Sequence, residues 1–323
     1  MKKLIALAFS DLHLNLWKQF NQDENRTLNT FDVLRVMANE AKAKSVPVLF
    51  AGDLFHNPKA IANKLLHLFI KNYQATFEKN DVQLYGIDGN HDQCENNTYS
   101  NRSPSYFETF SGVFKTMKHC NNRVIETPNF LLYGIPYFKD NDGMAQMLKE
   151  FRPFLSGAKP NILMIHTDLY YAEDSLGRTI DHVDNMPRRM KKFFQGFDLV
   201  LDGHIHKPNS IFKNIRILGA PQQQSRADEG VEMGYWKIYD DMSMGFKPLD
   251  QYPKFISIEE GQKQPDSFNY YTVIPKEIKE ATKSNIPHTT SKKDLIKAYC
   301  QSNNIKSKAR YNLIMELIQK SDD

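Results

Sequence analysis

The sequence predicts an α/β protein of the four-layer α/β/β/α sandwich class, with a small C-terminal α+β cap and helices. Apolar runs typical of buried strands alternate with segments of helical periodicity up to about residue 198. Beyond that point short strands follow one another without helices between them, which predicts a second, more antiparallel sheet. Two sheets packed face to face with helices outside give the four layers.

The predicted strands and helices follow from these periods. Strand and helix in alternation indicate a largely parallel sheet with helices on its outside. The early strands are predicted at residues 4–9, 46–51, 82–87, 162–165 and 199–201. Apolar helical faces are predicted within residues 31–41, 65–72 and 144–151. The later short strands are predicted at residues 211–212, 215–218, 231–240 and 244–246.

The chain is predicted to have one large domain and a small appendage. Residues 1–250 form the main domain and residues 251–290 form a capping segment. Within the cap, residues 261–290 are rich in Lys, Gln, Ser and Pro around a strand at 270–274. Residues 291–323 are predicted to carry helices at 293–300 and 308–319. An apolar helix face there either packs on its own protein or docks a partner, and the sequence leaves both readings open.

Composition sets wide limits on function. The chain has 323 residues and a formal net charge of +4, which permits contact with phosphate backbones without requiring it. Three cysteines form no even framework, so a cytoplasmic location is expected, or the host cytoplasm for a viral protein. The apolar N-terminus is better explained as the first strand than as a signal peptide, and no membrane span is expected.

Each early strand is followed by residue types that bind metals. Because the carboxyl ends of parallel strands meet at one sheet edge, these side chains are expected to lie together. Residues two apart in an extended segment project to the same side, so paired ligands are expected within single motifs. The motifs are Asp11-Leu12-His13, Gly52-Asp53, Gly89-Asn90-His91-Asp92, His166 and Gly203-His204-Ile205-His206.

The residue types indicate two transition-metal ions. A mixed set of Asp, Asn and His suits manganese, iron or zinc better than calcium, and the absence of cysteine argues against a structural zinc site. Asp53, alone in its motif, is the candidate bridge between two ions about 3.5–4 Å apart. The Asp-x-His, Gly-Asp and single-His motifs are common by chance, and the two motifs that begin at Gly89 and Gly203 are more specific. Five motifs in this order at strand ends leave little room for chance.

These motifs resemble the calcineurin-like metallophosphoesterase superfamily over roughly residues 1–250. The resemblance implies that one metal is held by Asp11, His13, Asp53 and His206, and a second by Asp53, Asn90, His166 and His204. It also implies that His91 is the catalytic histidine, with Asp92 beside it as the partner that orients it.

Finer features resemble the SbcD-type DNA-repair nucleases of that superfamily. These are residues 10–14 (SDLHL), 52–56 (GDLFH) with His56 as the distinguishing residue, 57–58 (NP), and 252–258 (YPKFISI) leading into the cap. The resemblance implies that His56 assists catalysis. It also implies two divalent metal ions, for which Mn²⁺ is the expected identity and Fe, Zn or Mg are the alternatives. It also implies DNA as substrate, an SMC-like coiled-coil ATPase bound by the C-terminal helices, and a homodimer.

Two further clusters have alternative readings. Arg188, Arg189, Lys191 and Lys192 could line a nucleic-acid groove or form an ordinary solvated face. Tyr170 and Tyr171 could stack on a base or pack at the rim of the core. Neither cluster decides the substrate.

Three functions are in contention on the sequence alone. The first is a metal-dependent DNA exonuclease and endonuclease working in repair, recombination or replication. The second is a phosphatase or nucleotide phosphodiesterase of the same superfamily, with the C-terminal region as a lid. The third, a non-catalytic scaffold, is disfavoured because ligand types are intact at all five motifs.

Overall fold

The computed structural model describes residues 2–21, 24–140, 142–181, 190–259 and 269–274. The chain divides into two units, Met1–Phe255 and Ile256–Asp323. The predicted helices at 293–300 and 308–319, and Arg188 and Arg189 of the basic cluster, lie outside the described residues.

The described residues contain these elements in chain order. The strands are β1 (Leu4–Phe9), β2 (Val48–Phe50), β3 (Leu84–Gly86), β4 (Met117–His119), β5 (Arg123–Glu126), β6 (Leu131–Gly134), β7 (Asn161–His166), β8 (Leu199–Gly203), β9 (Asn209–Phe212), β10 (Ile215–Ile217), β11 (Gly234–Tyr239), β12 (Met244–Pro248), β13 (Phe255–Glu259) and β14 (Tyr270–Ile274). The helices are α1 (Asn25–Lys44), α2 (Asn63–Tyr73), continued by a π-helical turn at Gln74–Glu78, α3 (Tyr106–Ser111), α4 (Gly143–Phe151) and α5 (Met190–Phe193).

Within the described residues, the first unit is built on two six-stranded sheets. The first has the order β12-β11-β1-β2-β3-β4, in which β1 to β4 are parallel and β11 and β12 are added antiparallel at one side. The second has the order β5-β6-β7-β8-β10-β9, parallel from β6 to β10 with an antiparallel strand at each edge. In the second unit, β13 and β14 pair.

The side chains of β1 show how the layers pack. Alternate residues of a strand point to opposite faces, so Leu7 and Phe9 pack against α1 and α2 while Ala6 and Ala8 face the other sheet. Both faces of the strand are buried, which explains why its sequence is a continuous apolar run rather than an alternating one. The predicted four-layer α/β/β/α class is confirmed.

Two expectations about the sheets are wrong. The strands predicted at 231–240 and 244–246 are present as β11 and β12, but they extend the first sheet beside β1 instead of joining the second. The second sheet is also more parallel than expected, because β6, β7, β8 and β10 run the same way. Strand propensity locates a strand along the chain, whereas its neighbour is chosen by long-range packing.

Among the helices of the described residues, none combines the length and the hydrophobicity that a transmembrane segment requires.

The aromatic cluster beneath α2 makes the helical layer depend on packing. Phe69 is fully buried, and its ring centroid lies 4.7 Å from that of Phe110 and 5.1 Å from that of Phe55. We expect Phe69→Ala to lower the free energy of unfolding by about 3–5 kcal/mol, measured by urea denaturation. Val113→Ala, at a side chain that is 72% exposed, should stay within about 0.5 kcal/mol of the wild type. Equal stability of the two variants would contradict this packing.

Candidate metal centre

All seven predicted ligand side chains lie close together at one edge of the sandwich. The strands β1, β2 and β3 of one sheet and β7 and β8 of the other end there, and the loops that follow carry the ligands. Hydrogen-bond and ion-pair distances connect the members of the set as two groups. The predicted ligands are Asp11, His13, Asp53, Asn90, His166, His204 and His206.

The first group surrounds the Nε2 atom of His13. This nitrogen lies 3.2 Å from Nε2 of His206, 3.6 Å from Oδ2 of Asp53 and 3.9 Å from Oδ1 of Asp11. Two imidazole nitrogens directed at each other beside two carboxylates form a set of donors suited to one cation.

The second group surrounds the side-chain oxygen of Asn90. Oδ1 of Asn90 lies 3.1 Å from Nε2 of His166 and 3.1 Å from Nδ1 of His204. Nε2 of His166 lies 3.4 Å from Oδ2 of Asp53. One carboxylate, one amide oxygen and two imidazoles therefore converge here.

A single atom, Oδ2 of Asp53, faces both groups. The other oxygen of this carboxylate, Oδ1, accepts a hydrogen bond of 2.8 Å from the backbone N–H of His91, which fixes the rotation of the side chain. Oδ2 is thereby directed between His13 and His166. This is the position that a bridging ligand requires, and the bridging role of Asp53 itself stays a prediction.

Glycines allow the strand ends to approach this closely. A Cβ on Gly52 would lie 2.6 Å from the backbone nitrogen of Gly89, and one on Gly89 would lie within 3 Å of the Asp53 carboxylate. Gly52 also has φ +95°, a conformation that L-residues with a side chain rarely adopt.

Four ligand residues have a left-handed backbone. Asp11, His13, Asp53 and His204 have φ values of 51°, 48°, 62° and 74°. Such conformations cost on the order of 1–3 kcal/mol each in residues other than glycine and concentrate at functional sites. The surrounding sheets hold the ligands in these conformations, since backbone bonds such as Asp11 N–H to Gly52 carbonyl (2.9 Å) and His13 N–H to Asp53 carbonyl (3.0 Å) fix the loops.

The ligand histidines are oriented through their other ring nitrogen. Nδ1 of His166 donates to the carbonyl of Ala51 at 2.7 Å, which leaves Nε2 free to bind. Nδ1 of His206 faces the buried carboxylate of Asp228 at 3.8 Å. Nε2 of His204 faces the carboxylate of Asp168 at 3.7 Å. Sequence reasoning missed both aspartates, because neither belongs to a motif and only the fold brings them beside the ligands.

A cation fits this site on two grounds. Oδ2 of Asp11 is buried without a hydrogen-bond partner, and such an atom is costly unless a partner satisfies it. Burial would raise the pKa of Asp53, but His166 and the other nearby rings lower it below its usual value. Burial likewise opposes protonation of His166, yet the Asp53 carboxylate raises the pKa of that ring to about 10. The carboxylate therefore attracts a positive charge, which a divalent ion can supply.

Of the three predicted catalytic residues, His56 and His91 lie together. The ring of His91 stacks near that of His56, with centroids 5.5 Å apart, and His13 adjoins both. Nδ1 of His91 lies 2.6 Å from the backbone carbonyl of His56. Because a carbonyl can only accept, this nitrogen carries the proton and Nε2 is directed elsewhere.

The expected contact between Asp92 and the ring of His91 is wrong. Both oxygens of Asp92 accept backbone N–H groups instead, from Asp53 at 2.7 Å, Leu54 at 2.8 Å and Gly89 at 2.9 Å. Burial raises the pKa of Asp92 well above its usual value, as do the nearby carboxylates, and the amide donors oppose this shift. Asp92 thus holds together the two loops that carry Asp53 and Asn90, and the carbonyl of His56 orients His91.

Aromatic and basic residues elsewhere have mixed surroundings. Trp17 lies beside His56, with ring centroids 5.0 Å apart. The guanidinium carbon of Arg26 lies 3.8 Å from the ring centroid of Trp17. Tyr170 is buried, so rim or core packing accounts for it, whereas Tyr171 is 52% exposed. Lys191 and Lys192 are exposed on α5.

Comparisons with known proteins identify the family to which this chain belongs. The model of the calcineurin-like phosphoesterase family matches residues 6–208, and the chain belongs to that family. A crystal structure of a dimetal phosphatase from Danio rerio is similar to this chain with a TM-score of 0.50 and 10% identity, covering 77% of this chain and 96% of that one. The calcineurin-like phosphoesterase YfkN from Bacillus subtilis gives a TM-score of 0.44 and 12% identity, covering 77% and 89%.

Family membership and the clustered His and Asp donors together define the class of protein. It is a metallophosphoesterase-type, metal-dependent hydrolase. The likeness to the Danio rerio structure shows a shared fold alone.

Asp228 provides a test of how the first metal group is held. Partners that orient a ligand histidine typically contribute 10–100-fold to metal affinity. We therefore expect Asp228→Asn to weaken Mn²⁺ binding at one of two sites by about 10–100-fold, measured by isothermal titration calorimetry. Asp250→Asn removes an exposed carboxylate that forms an ion pair with Lys254, and this variant should leave both affinities unchanged. Equal affinities in all three proteins would exclude a role for Asp228 in metal binding.

Proposed function

We propose that this protein is an SbcD-type DNA nuclease subunit, an exonuclease and endonuclease that hydrolyses phosphodiester bonds with two metal ions, Mn²⁺ first among them. The observation that carries the proposal is the pair formed by His56 and His91 beside the first metal group. One histidine near the leaving oxygen is enough for proton donation, and the additional histidine, His56 of the GDLFH segment, is the feature that resembles the nuclease branch.

The chain's own residues account for binding and proton transfer. When bound, two divalent ions neutralise the phosphodiester oxygens and lower the pKa of a water enough for it to attack phosphorus near neutral pH. The Asp53 carboxylate and the two ligand groups would hold the positive charge of both ions at one edge of the sandwich. His91, fixed through Nδ1 by the His56 carbonyl, presents Nε2 to donate a proton to the leaving oxygen.

His56 acts beside His91. Its ring is half-buried and in contact with Trp17, which limits its rotation, and burial lowers the pKa of the ring below its usual value. A neutral imidazole at this position hydrogen-bonds a phosphate oxygen or a sugar hydroxyl. It therefore orients the scissile group toward His91.

DNA and an SMC-like coiled-coil ATPase are the proposed partners, with a homodimer as the proposed assembly. The net charge of +4 supports binding to a polyanion, and the exposed Lys191 and Lys192 add to it. The ATPase proposal rests on the resemblance to SbcD-type nucleases and on the C-terminal stretches at 293–300 and 308–319, which lie outside the described residues.

Two substitutions separate metal binding from proton transfer. His91→Ala should keep the Mn²⁺ content and lose activity by about 10²–10⁴-fold, because the proton donor is removed while the ligands of both groups remain. Asp53→Ala should lose both, because the oxygen shared by the two ligand groups is gone. Metal analysis and rate measurements on the two purified variants test this. An equal loss of metal in both variants would contradict the assignment.

The substrate class is tested with linear duplex DNA in Mn²⁺. We expect nucleotide release that stops in chelator and weakens steeply as salt rises, because phosphate contacts release counterions. The matched control is p-nitrophenyl phosphate, a monoester that a phosphatase would hydrolyse. Rapid monoester hydrolysis without DNA cleavage would instead support the phosphatase or nucleotide phosphodiesterase alternative.

A further inference from the structure

Three histidine rings form a compact cluster beside the first metal group. One ring nitrogen from each of His13, His56 and His91 lies within 4.8 Å of one from each of the other two. The ring centroids are 5.4 Å apart for His13 and His56, 4.8 Å for His13 and His91, and 5.5 Å for His56 and His91.

These separations suit one shared ion. Zinc lies about 2.0–2.1 Å from an imidazole nitrogen, so the ring centres of two ligands in a tetrahedral site are about 5.2 Å apart. The three observed centroid distances fall on either side of that value. The rings need to rotate rather than move apart to direct three lone pairs at a single point.

Unpartnered atoms give an independent indication. Nδ1 of His13 and Nδ1 of His56 are buried and have no hydrogen-bond partner. His13 as a whole is only 3% exposed. A buried ring nitrogen without a partner is unfavourable, and a metal ion is one way to satisfy it.

The donors here differ from those of the two groups already described. Both of those groups contain oxygen from Asp or Asn, whereas this cluster offers three imidazoles. Mn²⁺ prefers oxygen and has the weakest affinity of the first-row divalent ions, while imidazole suits Zn²⁺. The cluster therefore discriminates between the two metals.

We propose that His13, His56 and His91 form a third, inhibitory metal site that takes Zn²⁺ and leaves Mn²⁺ unbound. Zn²⁺ engages the ring of His91, so that ring can no longer carry a proton to the leaving oxygen. His13 either serves both ions through its two nitrogens, releasing the Nδ1 proton, or turns away from the first group. The inhibitory effect rests on the proposed role of His91, whereas the zinc site itself does not.

Zinc stoichiometry tests the site directly. The full chain is stripped with chelator, dialysed against buffered Zn²⁺, and analysed for metal per chain. We expect three zinc ions in the wild type, and two in both His56→Gln and His91→Gln. His67→Gln, which removes an exposed histidine on α2, is the matched control and should keep three. Thermal unfolding of each protein verifies that it is folded. Equal zinc content in all four proteins would overturn the third site.

Inhibition provides the second readout. Excess Zn²⁺ added to the Mn²⁺ enzyme should lower DNA hydrolysis by about a hundredfold, the effect of losing a general acid. His56→Gln, compared with its own rate in Mn²⁺, should be inhibited about a hundredfold less than the wild type, because exchange of Mn²⁺ for Zn²⁺ in the mixed-donor sites affects both proteins alike and only the wild type has the third site. Equal inhibition of both proteins would overturn the proposal while leaving the nuclease assignment intact. Absence of DNA hydrolysis in Mn²⁺ alone would be a failure of the proposed function, and the zinc content would still decide the site.

Discussion

The structure depends on one carboxylate oxygen, Oδ2 of Asp53, being held between two groups of donors. Its side chain is fixed by the backbone N–H of His91, and its own backbone N–H is fixed by Asp92. Gly52 and Gly89 remove the Cβ atoms that would keep the neighbouring loops apart. The two sheets must then end at the same edge, because His166 and His204 approach Asn90 from the second sheet. A shift of the second sheet by one residue would place the wrong side chains beside Asp53.

Stability and function oppose each other at this edge. Buried carboxylates lie near one another, several ligand residues have left-handed backbones, and Oδ2 of Asp11 has no partner. The apolar layers on both sides of the sheets supply the stability that holds this arrangement, since β1, β7 and β8 are buried throughout their length apart from Leu4. Cation binding adds to stability by mass action, because an unfolded chain has no such site.

The sequence predicted the fold class and which side chains the fold brings together at one edge, because both depend on local patterns. A buried strand followed by a ligand motif is visible in the residues themselves, and parallel strands bring such motifs to one edge. Long-range features were not predictable in this way. The pairing of β11 with β1, the strands β4 to β6, and the carboxylates of Asp168 and Asp228 beside ligand histidines all depend on which segments meet in the folded chain. The expectation that Asp92 orients the His91 ring was wrong for the same reason. The position of Asp92 next to His91 in the sequence does not determine the direction of its side chain.

We expect Asp53 to be shared by two metal ions. A crystal of the protein soaked in Mn²⁺, with data collected near the manganese absorption edge, tests it most directly. We expect two anomalous peaks about 3.5–4 Å apart, one on each side of the Asp53 carboxylate. One group contains His13 and His206, and the other contains Asn90, His166 and His204. A single peak, or peaks remote from Asp53, would contradict it.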